Sequence, residues 1–140
     1  MAITGGLGLI AVQQLDRKSA DTYYIALKEF PSTIPSLMFG ILDHRLLGLL
    51  AHTMGKLGDA QAHFEEALAF CRKAGHRPDL AWTCCDYADT LLQRASTSSA
   101  RTDDRKKAMS LLDESLAISS ELGMRPLMER VLSRREILRA

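Results

Sequence analysis

No run of apolar residues in this 140-residue chain reaches the roughly 18 needed to cross a bilayer as a helix. Cysteine is scarce. Cys71, Cys84 and Cys85 form an odd set with no C-x-x-C pair, which argues against a disulfide framework or a zinc site and points to a reducing cytoplasm. Net charge is nearly absent at +1, so the molecule as a whole has no bias toward nucleic acid or an anionic membrane. The apolar opening from Ile3 to Val12 lacks a basic n-region and is rich in glycine, so it does not read as a signal peptide. What is present is an ordinary soluble composition, 46% hydrophobic and 25% charged, in a length that suits one domain over 1–140. The expectation is a soluble, cytoplasmic protein.

The chain repeats itself. Leu47-Gly48, Ala51, Gly55, Ala60, Phe64 and Ala67 recur forty residues earlier as Leu7-Gly8, Ala11, Leu15, Ala20, Tyr24 and Leu27. Forty residues later come Tyr87-Ala88, Leu91 and Ala95, and after eight extra residues Ala108, Leu112 and Ser115. A second echo has the same offset: Gly75-x-Arg77-Pro78 and Gly123-x-Arg125-Pro126 lie 48 apart. Two independent echoes with one consistent insertion indicate a repeat array.

Each unit reads as two helices. In the middle unit, Ser36 is placed to cap a first helix that runs to about Met54, with Gly55 and Gly58 as breakers. Asp59 is expected to cap the second helix, whose Ala60, Phe64, Ala67, Leu68 and Cys71 follow helical spacing. Gly75 fits the left-handed position past its end. In the third unit a helix from about Pro78 to Arg94 precedes "ASTSSARTDD", read as a polar loop; Asp103 or Asp104 then caps a helix that stops at Gly123. Pro126 opens a final helix. Small residues such as Gly48 and Ala60 let helix backbones approach, while Phe64 and Leu47 fill the space around the contact. One hairpin cannot bury its apolar face, so neighbouring units must stack.

This pattern resembles the tetratricopeptide repeat, whose signature is W-x2-L-G-x2-Y…A-x3-F…P. The middle unit reads His44-x2-Leu47-Gly48-x2-Ala51…Ala60-x3-Phe64, the first Thr4-x2-Leu7-Gly8-x2-Ala11…Ala20-x3-Tyr24, and the third Cys84-x2-Tyr87-Ala88-x2-Leu91…Ala108-x3-Leu112. The tryptophan position is absent from all three, and the period is 40 rather than 34. Repeats of this length resemble the helical arrays of bacterial signalling regulators, which adjoin ATPase, cyclase or DNA-binding modules. The resemblance implies an all-α, right-handed α-solenoid of three repeats (about 1–35, 36–77 and 78–125) and a capping helix over 126–140. It also implies a peptide-binding face on the first helix of each repeat. The residues it assigns there are Leu42, Arg45, Leu49, His52 and Thr53, then Trp82, Cys85, Asp89, Leu92 and Gln93. The bland alternative is that Trp82 and the leucines only pack against the next helix.

Other motifs carry less. Gly6-x-Gly8-x-x-Ala11 matches a dinucleotide fingerprint, but too few residues precede it for a buried strand and no second strand follows. A nucleotide-dependent enzyme centred there is therefore a rival reading only. His44 and His52 are about 12 Å apart along a helix, too far to share an ion, and His63-x-x-Glu66 has usable spacing but no matching pair in sequence. Cys84 and Cys85 point about 100° apart on a helix and read as small core residues. Arg125, Arg130, Arg134, Arg135 and Arg139 make the end of the chain basic. They suit either a solvated helix or, in a nucleic-acid rival, phosphate contacts. The expectation is thus a binding module for a protein or peptide, with no catalytic residue, cofactor or metal. Self-association is a further expectation, because dimerisation or domain swapping would cover the apolar faces that end repeats expose.

Overall fold

A computed structural model describes residues 10–29, 40–97 and 101–139, and every regular element among them is helical. Residues 10–13 are helical, followed by α1 (Arg17–Glu29), α2 (Gly40–Thr53), α3 (Leu57–Ala74), α4 (Arg77–Thr97), α5 (Arg101–Leu122) and α6 (Arg125–Arg139). The chain is all-α over the described residues. The positions Thr4, Gly5, Gly6, Leu7, Gly8 and Ser36 lie outside them.

One turn is used four times. After α2, Gly55 adopts a φ of +79°; its N–H donates to the His52 carbonyl and the Lys56 N–H reaches back to Ala51, each at 2.9 Å. This pair of bonds satisfies carbonyls that the helix end would otherwise leave open. Gly123 at +69° repeats it, with Met124 N–H on the Ser119 carbonyl at 2.8 Å. Gly75 at +72° does so with His76 N–H on Cys71 at 3.0 Å. At all these turns the residue after the left-handed position caps the next helix. The carbonyls of Lys56, His76 and Met124 accept from Ala60, Leu80 and Met128 at 3.0 Å. Two residues therefore suffice to reverse the chain.

The fourth case has the wrong residue. Leu15 sits at φ +53° with Asp16 N–H on the Ala11 carbonyl at 3.0 Å, forty residues before Gly55. A side chain in this conformation meets its own carbonyl at a cost of about 1 kcal/mol or more. Leu15 is 74% exposed and gains little burial in return. Leu15→Gly is therefore expected to stabilise the chain by about 1 kcal/mol, and Gly55→Leu to destabilise it by a similar amount. Urea midpoints at unchanged m-value would check both.

Contacts gather in two units, Met1–Ala67 and Leu68–Ala140. In the first, α1 packs on α2, and Ala20, Leu50, Ala51, Ala60 and Phe64 are fully buried. The expected close approach is present: a Cβ on Gly48 would stand 2.7 Å from Cε1 of Phe64. In the second unit α4 packs along α5, and α6 lies against both. Tyr87, Ala88, Leu91, Ala108, Leu112, Leu127 and Val131 form its centre. Ser115 Oγ donates to the Ala81 carbonyl at 2.7 Å, a close crossing that a larger side chain would block. Asp104, itself buried, takes both guanidinium arms of Arg94, one from Nε at 2.7 Å. That hydrogen-bonded pair holds the Asp104 carboxyl below its usual range and raises Arg94.

Three local expectations need correction. The stretch read as a ten-residue loop is mostly helix, since α4 continues to Thr97 and α5 starts at Arg101. Serine and threonine hydroxyls on the last turn of α4 bond back to carbonyls one turn earlier, Ser96 Oγ to Gln93 at 2.6 Å and Thr97 Oγ1 to Arg94 at 3.1 Å. These bonds satisfy the hydroxyls inside the helix, so the polar residues are accommodated there instead of ending it. Gly58 does not break a helix but lies in the first turn of α3. Asp59, Asp103 and Asp104 likewise sit inside first turns, one or more residues past the cap. There they still face the positive end of the helix dipole.

Candidate functional site

The first unit holds a polar cluster on its helices. Gly48 on α2 meets Phe64 on α3, and because the two helices run antiparallel through the tight turn at Gly55, His44, one turn earlier, lands beside Glu66. His44 Nδ1 is 2.9 Å from Glu66 Oε2, within ion-pair distance but outside hydrogen-bond geometry. His63 on α3 faces the same space. Its Nε2 is 2.9 Å from the Tyr24 hydroxyl of α1, with the two rings edge to face. Its Nδ1 is buried without a hydrogen-bond partner. One donor atom from each of His44, His63 and Glu66 lies within 4.8 Å of the other two. Burial lowers the His63 pKa, against the pull of Glu66, so the ring is neutral at physiological pH. Burial also raises the Tyr24 hydroxyl, which stays protonated.

The second unit holds a network of opposite charge. Asp86 on α4 is buried with its side chain 2% exposed, and Arg130 on α6 donates to its Oδ1 at 3.0 Å. The same Arg130 nitrogen reaches Asp89 Oδ2 at 2.7 Å, and Arg134 Nε donates to Asp89 Oδ1 at 2.7 Å. Arg135 pairs with Asp113 at 3.0 Å. Burial works against the charge of Arg130, but Asp86 and Asp89 outweigh it and raise its pKa. Cys84 and Cys85 are fully buried; burial pushes the Cys85 thiol up to about 12 and Cys84 still higher.

Comparison with known proteins gives no matching family model, no matching curated protein and no matching solved structure.

The residues expected to line a binding face divide as follows. Leu42 lies in α2 with its side chain outside the described residues. Arg45, Leu49 and His52 are half-buried along one strip of α2, and Thr53 is buried with its hydroxyl on the Leu49 carbonyl at 2.9 Å. On α4, Trp82, Asp89 and Leu92 are half-buried, Gln93 is exposed and Cys85 is buried. Helix α4 touches both α5 and α6, so more of its circumference is closed than a two-helix hairpin would close. Leu92 borders a shallow, open hollow with Ala95, Ser96, Arg101 and Arg105. Its volume of about 250 Å³ is below the usual range for a small-molecule site.

The spacing of His44, His63 and Glu66 across a turn hides their proximity from sequence motifs. The available signal was Gly48 opposite Phe64, which sets the hairpin register. The Asp86–Arg130 pair carried a weaker signal: an acidic residue on α4 where the middle repeat has Leu46.

Proposed function

We propose that the chain is a right-handed α-solenoid of tetratricopeptide-like repeats that binds a peptide segment of a protein partner and performs no chemistry of its own. Its setting is the interaction part of a bacterial regulator. The observation that carries this reading is that positions forty apart have the same half-burial on two helices. Leu49 and His52 of α2 correspond to Asp89 and Leu92 of α4, and all four keep part of their surface open. On each helix by itself, half-open side chains held on a rigid backbone supply preformed contacts and reduce the ordering cost of association. Trp82 adds an aromatic anchor of the kind that dominates such surfaces. Thr53 and Cys85 are too buried to take part.

The internal pairing of Arg130, Arg134 and Arg135 with Asp86, Asp89 and Asp113 supports this reading over a nucleic-acid interface, because those charges already have partners. No helix among the described residues is long and apolar enough to cross a membrane.

Selection of displayed peptides against the intact chain tests the proposal. Enriched peptides should bind with an affinity that falls about tenfold or more in Leu49→Ala and Trp82→Ala, with far-UV circular dichroism unchanged. Failure to enrich any sequence, or peptides indifferent to both substitutions, would refute it.

A further inference from the structure

We infer that His44, His63 and Glu66 form a binding site for a divalent transition metal of the zinc class, joining α2 to α3 within the first unit. The inference is independent of any peptide-binding role and rests on four observations.

The first is convergence. Donor atoms of three residues on two helices lie within 4.8 Å of one another. In a tetrahedral site with bonds of about 2.0–2.2 Å the donors stand roughly 3.3–3.6 Å apart, so closing the site requires side-chain movement of about 1 Å. His44 and Glu66, whose side chains are 38% and 60% exposed, have the freedom to make it.

The second is the unmet valence. His63 Nδ1 is buried and unbonded, and His44 Nδ1 approaches Glu66 without forming a hydrogen bond. Two donors close together but not aimed at each other are arranged as ligands of a third body. The third is the outer shell. Tyr24 holds Nε2 of His63 at 2.9 Å. With Nε2–H donating to the phenol oxygen, the lone pair is on Nδ1. In that tautomer the contact orients the ring for ligation, as the partners of metal-bound histidines commonly do. The fourth is ligand type. Two imidazoles and a carboxylate suit zinc, nickel or copper, and not the all-oxygen preference of magnesium or calcium. Three protein ligands leave a coordination position for water or a further donor.

Titration calorimetry with the full chain, free of any histidine tag, tests the site. Zinc should bind at one equivalent with a dissociation constant in the micromolar range or tighter, and should raise the melting temperature; magnesium should do neither. His44→Gln and Glu66→Gln change partly exposed side chains and leave the core intact. Each should weaken zinc binding about tenfold or more, and Tyr24→Phe should weaken it to a similar degree through His63. His52→Gln and His76→Gln, outside the cluster, should bind zinc as the parent does. Binding no tighter than millimolar, or binding unaffected by His44→Gln and Glu66→Gln, would overturn the inference.

Discussion

Arg130→Met is expected to destabilise the second unit by about 3 kcal/mol or more. The substitution removes the guanidinium that stands 3.0 Å from Oδ1 of Asp86, a carboxylate whose side chain is only 2% exposed. Asp86 then stays buried without the Arg130 guanidinium, and the uncompensated desolvation of its charge supplies most of the loss. Asp89 fares better because Arg134 still donates to it at 2.7 Å. Arg130→Lys should fall between, since a single ammonium cannot serve two carboxylates with the geometry of a guanidinium. The repeat suggests the rescue. Forty residues earlier Leu46 occupies the position of Asp86 and is itself 2% exposed. The double variant Asp86→Leu with Arg130→Met replaces a buried ion pair by apolar groups and should recover to within about 1 kcal/mol of the parent. Urea unfolding followed by the fluorescence of Trp82, the single tryptophan, reads this unit directly. A cost under about 1 kcal/mol for Arg130→Met would show that burial of Asp86 does not depend on Arg130.

Gly48→Ala should cost about 2–3 kcal/mol, although in an exposed helix the same change is worth about 1 kcal/mol of stabilisation. The sign reverses because the added Cβ would lie 2.7 Å from Cε1 and 2.9 Å from Cδ1 and Cζ of Phe64. That ring is completely buried, so it has no open side to move toward. The third repeat solves the same contact differently, with Ala88 and Leu112 at the matching positions, both buried. Gly48→Ala combined with Phe64→Leu copies that solution. The two changes should therefore be strongly non-additive, with a coupling energy of about 1 kcal/mol or more in a double-mutant cycle. Simple additivity would mean that Gly48 is not set by the ring.

These two contacts illustrate what the sequence makes legible. Gly48, Ala60 and Phe64 were readable because packing at repeat positions depends on side-chain size, and size recurs at a fixed spacing. Gly55, Gly75 and Gly123 were readable as helix ends, and Gly75 as a left-handed turn, because that turn selects glycine. Leu15 takes the same turn without the marker residue, so only its place in the repeat pointed there. The polar stretch after Ala95 was misread because serine and threonine favour loops on average, yet their hydroxyls here bond within the helix. The strip on α2 and α4 came from resemblance; Cys85 and Thr53 drop out of it once α6 and local hydrogen bonding are known. The charge network of α6 and the cluster around His63 were legible only in fragments, as the arginines of the last helix and the His63-x-x-Glu66 spacing. Each joins residues on different helices, and such pairs obey no sequence period.

The cysteines offer a natural clock. All three, Cys71, Cys84 and Cys85, fall between Leu68 and Ala140 and are sealed from solvent. A protonated, inaccessible thiol does not attack an alkylating reagent. Their labelling rate under native conditions would thus record how often this half of the molecule breathes open, while the half ending at Ala67 contributes no signal.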